Sequence, residues 1–182
     1  MTRNTTSRSL HDLGLAAWFG GTLANAVALN PAAAQAESAS DRGAVANEGW
    51  DRWTPVNAAA IGAHLVGSIG QLARNSSRIR GQKGVPTMVG VKVGLTVAAL
   101  GVTAYSRVLG KTVDAHQGVP VAAATAPVAS TPPKVAAAQK KLAALQWVIP
   151  ALTGGLVVVS AFAGEQERAS EAGKGVLRRV LA

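Results

Sequence analysis

Four apolar segments, each long enough to cross a lipid bilayer as a helix, constrain the fold of this chain more than any other feature. They cover about residues 11–30, 54–73, 87–109 and 135–164. A membrane-spanning helix needs about 20 mainly apolar residues. The segments are rich in Ala and Gly, which favours packing of helices on one another. The sequence therefore predicts an all-α protein, with a transmembrane four-helix bundle over residues 1–168.

The composition supports a chain whose solvent is partly lipid. Only 15% of the residues are charged, and the mean hydropathy is positive at +0.22. A soluble protein usually carries about a quarter charged residues. Cysteine is absent, which excludes a disulfide framework or a thiolate metal site. We therefore expect the lipid bilayer to be the first partner of this protein.

The basic residues indicate orientation rather than nucleic-acid binding. The net charge of +9 is spread over short clusters beside the apolar segments, not over one basic face. Such clusters are typical of topology signals and of contacts with anionic lipid headgroups. The positive-inside bias favours a multi-pass protein of the plasma membrane with both termini in the cytoplasm. The clusters assigned to the cytoplasmic side are Arg3 and Arg8, then Arg74, Arg78, Arg80 and Lys83, then Arg168, Lys174, Arg178 and Arg179.

Two stretches outside the apolar segments complete the organisation. Residues 110–134 are rich in Ala, Pro and Val, which predicts a flexible or extended extracytoplasmic linker. Residues 169–182 form a cytoplasmic tail that can make a short amphipathic helix at the membrane surface. Its apolar face would carry Val176, Leu177, Val180 and Leu181.

The N-terminus has two interpretations. The sequence "AAAQA" before Glu37 resembles a signal-peptide cleavage site, with cleavage after Ala36. However, the apolar run over residues 13–29 is longer than the roughly 7–15 residues of a signal core, and it contains Asn25. A retained first helix, ended by Asn30-Pro31, is the favoured interpretation. Cleavage would leave three helices in the same orientation.

Polar residues within the apolar segments recur at the 3-and-4 spacing that marks one helix face. Polar groups are costly in hydrocarbon unless they are paired, so these faces should turn toward one another. We therefore predict a polar seam inside the bundle, named the polar lane. Its members are Asn25, Asn57, His64, Ser68, Lys92, Thr96, Thr103, Gln146 and Thr153.

Lys92 is the charged member of this lane within the third apolar segment. Its long stem can carry the ammonium group to the cytoplasmic surface, or the group can pair with Asp12 or Glu165. These structural roles are favoured over a role in substrate or proton transfer.

His64 raises the question of a haem or metal site. A second axial ligand would have to lie at the same depth, but His11 is expected nearer a surface and His116 in a loop. We therefore expect a hydrogen-bonded interior histidine, and no cofactor.

Small residues four positions apart predict close approach between helices. Because small residues are abundant throughout the chain, packing within one bundle is favoured over dimerisation. The pairs are Gly90 with Gly94, Ala63 with Gly67, and Ala151 with Gly155.

Three stretches carry a family resemblance. "WTPVNAAAIGAHLVGSIGQLARN", "VKVGLTVAALGVTAYSRVLGK" and "IPALTGGLVVVSAFAGEQER" resemble segments of small, uncharacterised four-helix integral membrane proteins of high-GC actinobacteria. The resemblance covers roughly residues 10–30, 50–111 and 142–168. It implies a plasma-membrane bundle, and it brings no activity and no functional residues.

The sequence favours a non-enzymatic role, because no phosphate-binding loop, serine nucleophile elbow or paired-histidine zinc motif is present. A structural or accessory membrane component is the leading hypothesis, with a second copy or another membrane protein as a possible partner. One alternative is a small transporter or permeation subunit that uses the polar lane. Another is a haem- or quinone-associated membrane subunit.

Overall fold

The computed structural model describes residues 4–116 and 118–165, so the predicted C-terminal amphipathic helix lies outside the described residues. The all-α prediction is confirmed. Three of the helices, α3, α5 and α6 below, are long and apolar enough to cross a membrane. The helices are α1 (Thr5–Ala24), α2 (Asn30–Ala33), α3 (Ala39–Arg74), α4 (Ser76–Gly81), α5 (Val85–Asp114) and α6 (Pro133–Glu165).

The first helical segment does not end at Asn30-Pro31, as the sequence had suggested. A π-helical turn over Asn25–Leu29 joins α1 directly to α2, so helical backbone continues to Ala33. Pro31 stands in the first turn of α2. Because helical backbone precedes it, Pro31 removes one hydrogen bond from the preceding turn, and the π-helical turn lies directly before this proline.

Helix α3 begins well before Thr54-Pro55, which lie in its interior rather than at its start. Its N-cap is Ser38, whose hydroxyl accepts a hydrogen bond from the Asp41 N–H at 3.0 Å. The Asp41 carboxylate in the first turn also interacts favourably with the positive end of the helix dipole. This cap explains why the polar stretch before the apolar segment is helical.

The predicted linker is ordered where the structure describes it. Strand β1 (Val121–Ala123) pairs antiparallel with β2 (Ala126–Pro127), and the side chain of Val121 is buried. Gln139 on α6 donates from Nε2 to the carbonyl oxygen of Ala124 at 3.1 Å. The described part of the linker thus contains extended strands, which a buried side chain and a hydrogen bond hold against the helices.

Four long helices pack side by side in the order α3, α1, α6, α5. Helix α1 contacts both α3 and α6, whereas α5 packs almost entirely on α6. Helices α3 and α5 make few contacts with each other, so they leave an open edge that we name the α3–α5 seam. In this order α1 and α6 are the two inner helices, and α1 contacts α3 on one side and α6 on the other.

Glycines allow the close contact between α1 and α3. A Cβ on Gly14 would overlap the backbone of Ala60 and His64, and a Cβ on Gly67 would overlap the backbone of His11. The two helices therefore meet backbone to backbone, as in membrane helix pairs with small residues at the interface.

The other predicted packing residues are placed differently. A Cβ on Gly90 or Gly94 would meet nothing within 4 Å among the described residues, so the prediction that this pair packs within the bundle is wrong. The face of α5 that carries these glycines points away from its neighbours. Ala151 is exposed and Ala63 is partly buried. A Cβ on Gly155 would make an ordinary contact with Leu95 at 4.0 Å.

We expect Gly67→Ala to destabilise the protein, because the added methyl group must separate α1 from α3. Overpacking of this kind costs about 1–3 kcal/mol. The matched control is Gly94→Ala, which should be neutral or slightly stabilising, since Ala is the better helix former. Thermal unfolding of both variants in detergent measures the difference, and equal effects would contradict the packing described here.

Candidate functional site

The polar lane is divided by an apolar layer rather than continuous. The layer consists of Trp18, Ala99 and Ile149, of which Trp18 and Ala99 are fully buried. Ile61 and Leu100 pack against these residues, so four helices contribute to the layer. The lane residues Asn57, Thr103 and Gln146 lie on the hairpin side of this layer, whereas His64, Thr96 and Thr153 lie on the other side.

On the far side from the hairpin, the rings of His11 on α1 and His64 on α3 are in contact. Their ring centroids are 4.6 Å apart with planes tilted by 45°, and both residues are almost completely buried. The Trp18 ring packs edge-on against His64 at a centroid distance of 6.1 Å. The apolar layer therefore contacts His64 directly through Trp18. We name His11 and His64 the histidine pair.

The hydrogen bonds of His64 suit a neutral ring with one defined tautomer. Its Nδ1 lies 3.4 Å from the carbonyl oxygen of His11, which can only accept a hydrogen bond. The Nδ1 therefore donates, which leaves Nε2 to accept from the Thr96 hydroxyl at 3.4 Å. Thr96 belongs to α5, so this ring links three helices.

The histidine pair corrects the expectation that His11 lies nearer a surface than His64. The two rings share one depth, because α1 lies against Gly67 of α3 and thereby places His11 beside His64. The Nδ1 atom of His11 lies 2.7 Å from Asp12 Oδ1, and the Nδ1 atom of His64 faces the His11 carbonyl oxygen, so both nitrogens already have partners within the protein. Among the described residues, no three His, Asp or Glu side chains form a potential metal site.

The remaining lane residues near the histidine pair are held by their own helices. Ser68 donates to the His64 carbonyl oxygen at 2.7 Å, and Thr153 donates to the Ile149 carbonyl oxygen at 2.9 Å. Lys92 is partly buried and lies within electrostatic range of both imidazoles. Its pairing with Asp12 or Glu165 stays a prediction.

A cavity of about 320 Å³ lies on the hairpin side of the apolar layer, along the α3–α5 seam. Ile61, Leu100 and Ile149 of the apolar layer contribute to its lining. Most of its wall is apolar, and Trp50 and Trp53 add aromatic surface. We name this space the seam cavity.

One wall of the seam cavity is a complete hydrogen-bond chain centred on Asn30. The indole N–H of Trp50 donates to Asn30 Oδ1 at 3.0 Å, and Asn30 Nδ2 donates to Gln146 Oε1 at 2.8 Å. The chain connects α3, α2 and α6. The sequence predicts only a helix end at Asn30. However, Asn30 follows Thr22 by about two helical turns and extends the same polar face.

The opposite walls carry polar atoms that are buried and have no partner among the described residues. A buried polar group without a hydrogen bond costs about 1–3 kcal/mol. Thr103 and Ser106 differ in this respect from Thr22, whose hydroxyl donates to the carbonyl oxygen of Trp18 at 2.7 Å. The unpartnered atoms in residues that line the cavity are Trp53 Nε1, Asn57 Oδ1, Thr103 Oγ1 and Ser106 Oγ, and each is shielded from the cavity by its neighbours. Asn25 also has a buried, unpartnered Nδ2, but it does not line the cavity.

An ion pair crosses the seam beside the cavity. Arg107 Nη2 on α5 donates to Asp51 Oδ1 on α3 at 2.8 Å. Both side chains are more than a third exposed, so the pair contributes little to stability and mainly aligns the two helices.

Comparison with protein-family models, curated proteins and solved structures finds no match for this chain. Its function therefore has to be argued from the histidine pair, the apolar layer and the seam cavity.

We expect Asn30→Ala to destabilise the protein by about 1–3 kcal/mol, because it leaves the Trp50 indole N–H and the Gln146 amide oxygen without partners. The control is Gln35→Ala at an exposed position nearby. Thermal unfolding monitored by tryptophan fluorescence measures both variants. Equal stability of the two would show that the chain of hydrogen bonds is not maintained.

Proposed function

We propose that the chain is an integral protein of the plasma membrane whose four long helices cross the bilayer. The observation that supports this proposal most strongly is the distribution of polarity in the described residues. The interior contains His11, His64 and Thr153, whereas large apolar side chains cover the outside. Soluble proteins seldom expose apolar patches larger than a few hundred Å². The exposed set includes Val66, Ile69, Val93, Val97, Val108, Val158 and Phe162.

Helix α1 is proposed as the fourth spanning helix, although it is less apolar than the other three. It lies between α3 and α6, where its His11, Trp18 and Thr22 side chains are buried against protein. Removal of residues 1–36 would uncover His64 and the backbone around Gly67. The packing thus supports retention of the first helix over cleavage after Ala36. Both termini are then placed in the cytoplasm by the positive-inside rule.

Within the membrane we propose a structural or accessory role rather than catalysis. The apolar layer supports this role, because it lies between the seam cavity and the histidine pair. The histidine pair then fixes the registers of α1, α3 and α5 through ring contact and hydrogen bonds. A second copy or another membrane protein is the proposed partner of the exposed Gly90 and Gly94 surface.

A permeation subunit is the second candidate, and one observation favours it. Polar groups lie on both sides of the apolar layer, so a rearrangement of this layer would connect them. Hydrophobic constrictions of this kind gate some channels by excluding water. The two candidates differ in whether water reaches Thr96 and Thr153.

Membrane insertion is tested by fractionation and intact mass. We expect the protein to stay with the membranes during a carbonate wash and to require detergent for release, because its outer surface is apolar. The mass of the extracted chain should match the full-length 18.4 kDa, apart from removal of the initiator Met. Recovery of the chain in the soluble fraction would refute insertion, and loss of residues 1–36 would refute the role of α1.

Thiol labelling separates the two candidate functions. The chain has no cysteine, so single cysteines can be introduced without background. A membrane-impermeant maleimide added outside spheroplasts should fail to label Thr96→Cys and Thr153→Cys.

The control for labelling is Glu37→Cys, which lies at an exposed position in the loop before α3 and should react fully. Reaction of the cysteines at positions 96 and 153 at a rate near that of the control would contradict the structural role and support permeation. Labelling of denatured samples shows that each cysteine is present and reactive.

A further inference from the structure

The seam cavity extends from the apolar layer toward the hairpin, and its polarity changes along that length. Ile61 and Leu100 line its apolar end, whereas the Asp51–Arg107 ion pair lines it further on. Leu100 and Arg107 are seven residues apart, which is about 10 Å along α5. Ile61 and Asp51 are ten residues apart, which is about 15 Å along α3. The cavity therefore offers an apolar channel that ends beside a pair of opposite charges.

The wall of this channel offers few hydrogen bonds to a ligand. The buried polar atoms of Trp53, Thr103 and Ser106 are shielded from the cavity. The side-chain amides of Asn30 and Gln146 are bonded to each other. A buried water needs two to four polar partners, and cavities with apolar walls stay dry and accept apolar molecules. The wall thus favours a hydrocarbon ligand over water.

The cavity is open on the side that faces lipid if the helices cross a membrane. It follows the seam, where α3 and α5 make few contacts, and Ala58 and Ala104 form exposed parts of its edge. Because each of these side chains is a single methyl group, the edge leaves room for a chain to pass. A hydrocarbon chain of the bilayer can then enter sideways between the two helices.

The length of the channel matches one leaflet of a bilayer. The hydrocarbon core is about 30 Å thick, so one leaflet contributes about 15 Å. This is close to the distance from the apolar layer to the ion pair. The volume of about 320 Å³ lies at the lower end of the roughly 300–1,000 Å³ of small-molecule sites. It suits one hydrocarbon chain rather than both chains of a lipid.

We propose that the seam cavity binds one acyl chain of a phospholipid from the leaflet on the hairpin side. The end of the chain would contact Ile61, Leu100 and Ile149 of the apolar layer. The headgroup would lie beside Asp51 and Arg107, which are exposed and carry both signs of charge. The chain gives the cavity wall van der Waals contacts that an empty space lacks. This inference rests on the proposed insertion in the membrane.

The test uses the full-length protein in detergent, with Trp147→Phe to remove a tryptophan that is 50% exposed. The probe is phosphatidylcholine brominated on one acyl chain, because bromine quenches tryptophan fluorescence at short range. Trp50 and Trp53 line the cavity, so we expect quenching that saturates at one lipid per protein. Quenching that rises without saturation would overturn the proposal, because it would reveal only the lipid that surrounds any membrane protein.

Competitors show which part of the lipid is bound. Lysophosphatidylcholine, which has a single acyl chain, should compete with the brominated probe. Glycerophosphocholine, which has the headgroup and no chain, should not compete. Failure of the first compound to compete would overturn the proposal. Competition by the second would also overturn it, because the headgroup would then be the part that the protein recognises.

Variants at the edge of the seam test the position of the chain. Ala104→Leu fills the opening from α5, so the saturable quenching should be lost. The matched control is Ala98→Leu, the same change at an exposed position of α5 outside the cavity, and it should keep the quenching. Equal quenching in the two variants would refute the site. If Ala104→Leu fails to fold, Ala58→Leu and its exposed neighbour Ala59→Leu make the same comparison on α3.

Thermal stability provides an independent readout, since a ligand that binds only the folded state raises the unfolding temperature. Added phosphatidylcholine should raise this temperature for the unsubstituted protein and for Ala98→Leu, and leave it unchanged for Ala104→Leu. An equal rise in all three would contradict the proposal. Absence of binding in a protein that fractionates with membranes refutes the lipid site only. Recovery in the soluble fraction refutes the membrane assignment itself.

Discussion

The backbone contact between α1 and α3 is the constraint on which the rest of the structure depends. Gly14 and Gly67 lack the side-chain atoms that would hold the two helices apart. This contact places His11 against His64, and the ring of His64 in turn contacts Trp18 of the apolar layer. Helix α6 then packs on the other side of α1 and brings α5 with it. A larger residue at either glycine therefore affects the histidine pair and the apolar layer together.

Different forces hold the interior and the exterior. In the proposed membrane setting, apolar side chains on the outside would gain little by leaving lipid, so close packing and hydrogen bonds would hold the helices together. The Asn30 chain and the bonds of His64 supply such links between helices. Their individual contributions are modest, since each net hydrogen bond contributes about 0.5–1.5 kcal/mol. Each of these bonds also fixes how far one helix is shifted along its neighbour, because its donor and acceptor must lie at the same depth.

The sequence was informative about periodic features and poor at positions that depend on a neighbouring helix. The apolar segments predicted three helices of sufficient length and apolarity, and the polar stripes identified Asn57 and Gln146 of the seam cavity. The depth of His11 was missed, because depth counted from the edge of an apolar run ignores how far a neighbouring helix is shifted. Spacing of small residues selected Gly90 and overlooked Gly14, since spacing does not reveal which face meets another helix.

The α3–α5 seam is the weakest of the four contacts between neighbouring helices in the bundle. Three helix contacts are broad, while the fourth edge is bridged by Asp51 with Arg107 and by His64 with Thr96. Both bridges are polar, and the first is exposed enough to exchange with solvent at little cost. Thermal motion should therefore concentrate in a breathing movement of α5, carried by α6, away from a stiff α1–α3 unit. The distance between α3 and α5 can therefore change to fit a neighbouring molecule, while the packing between α1 and α3 stays the same.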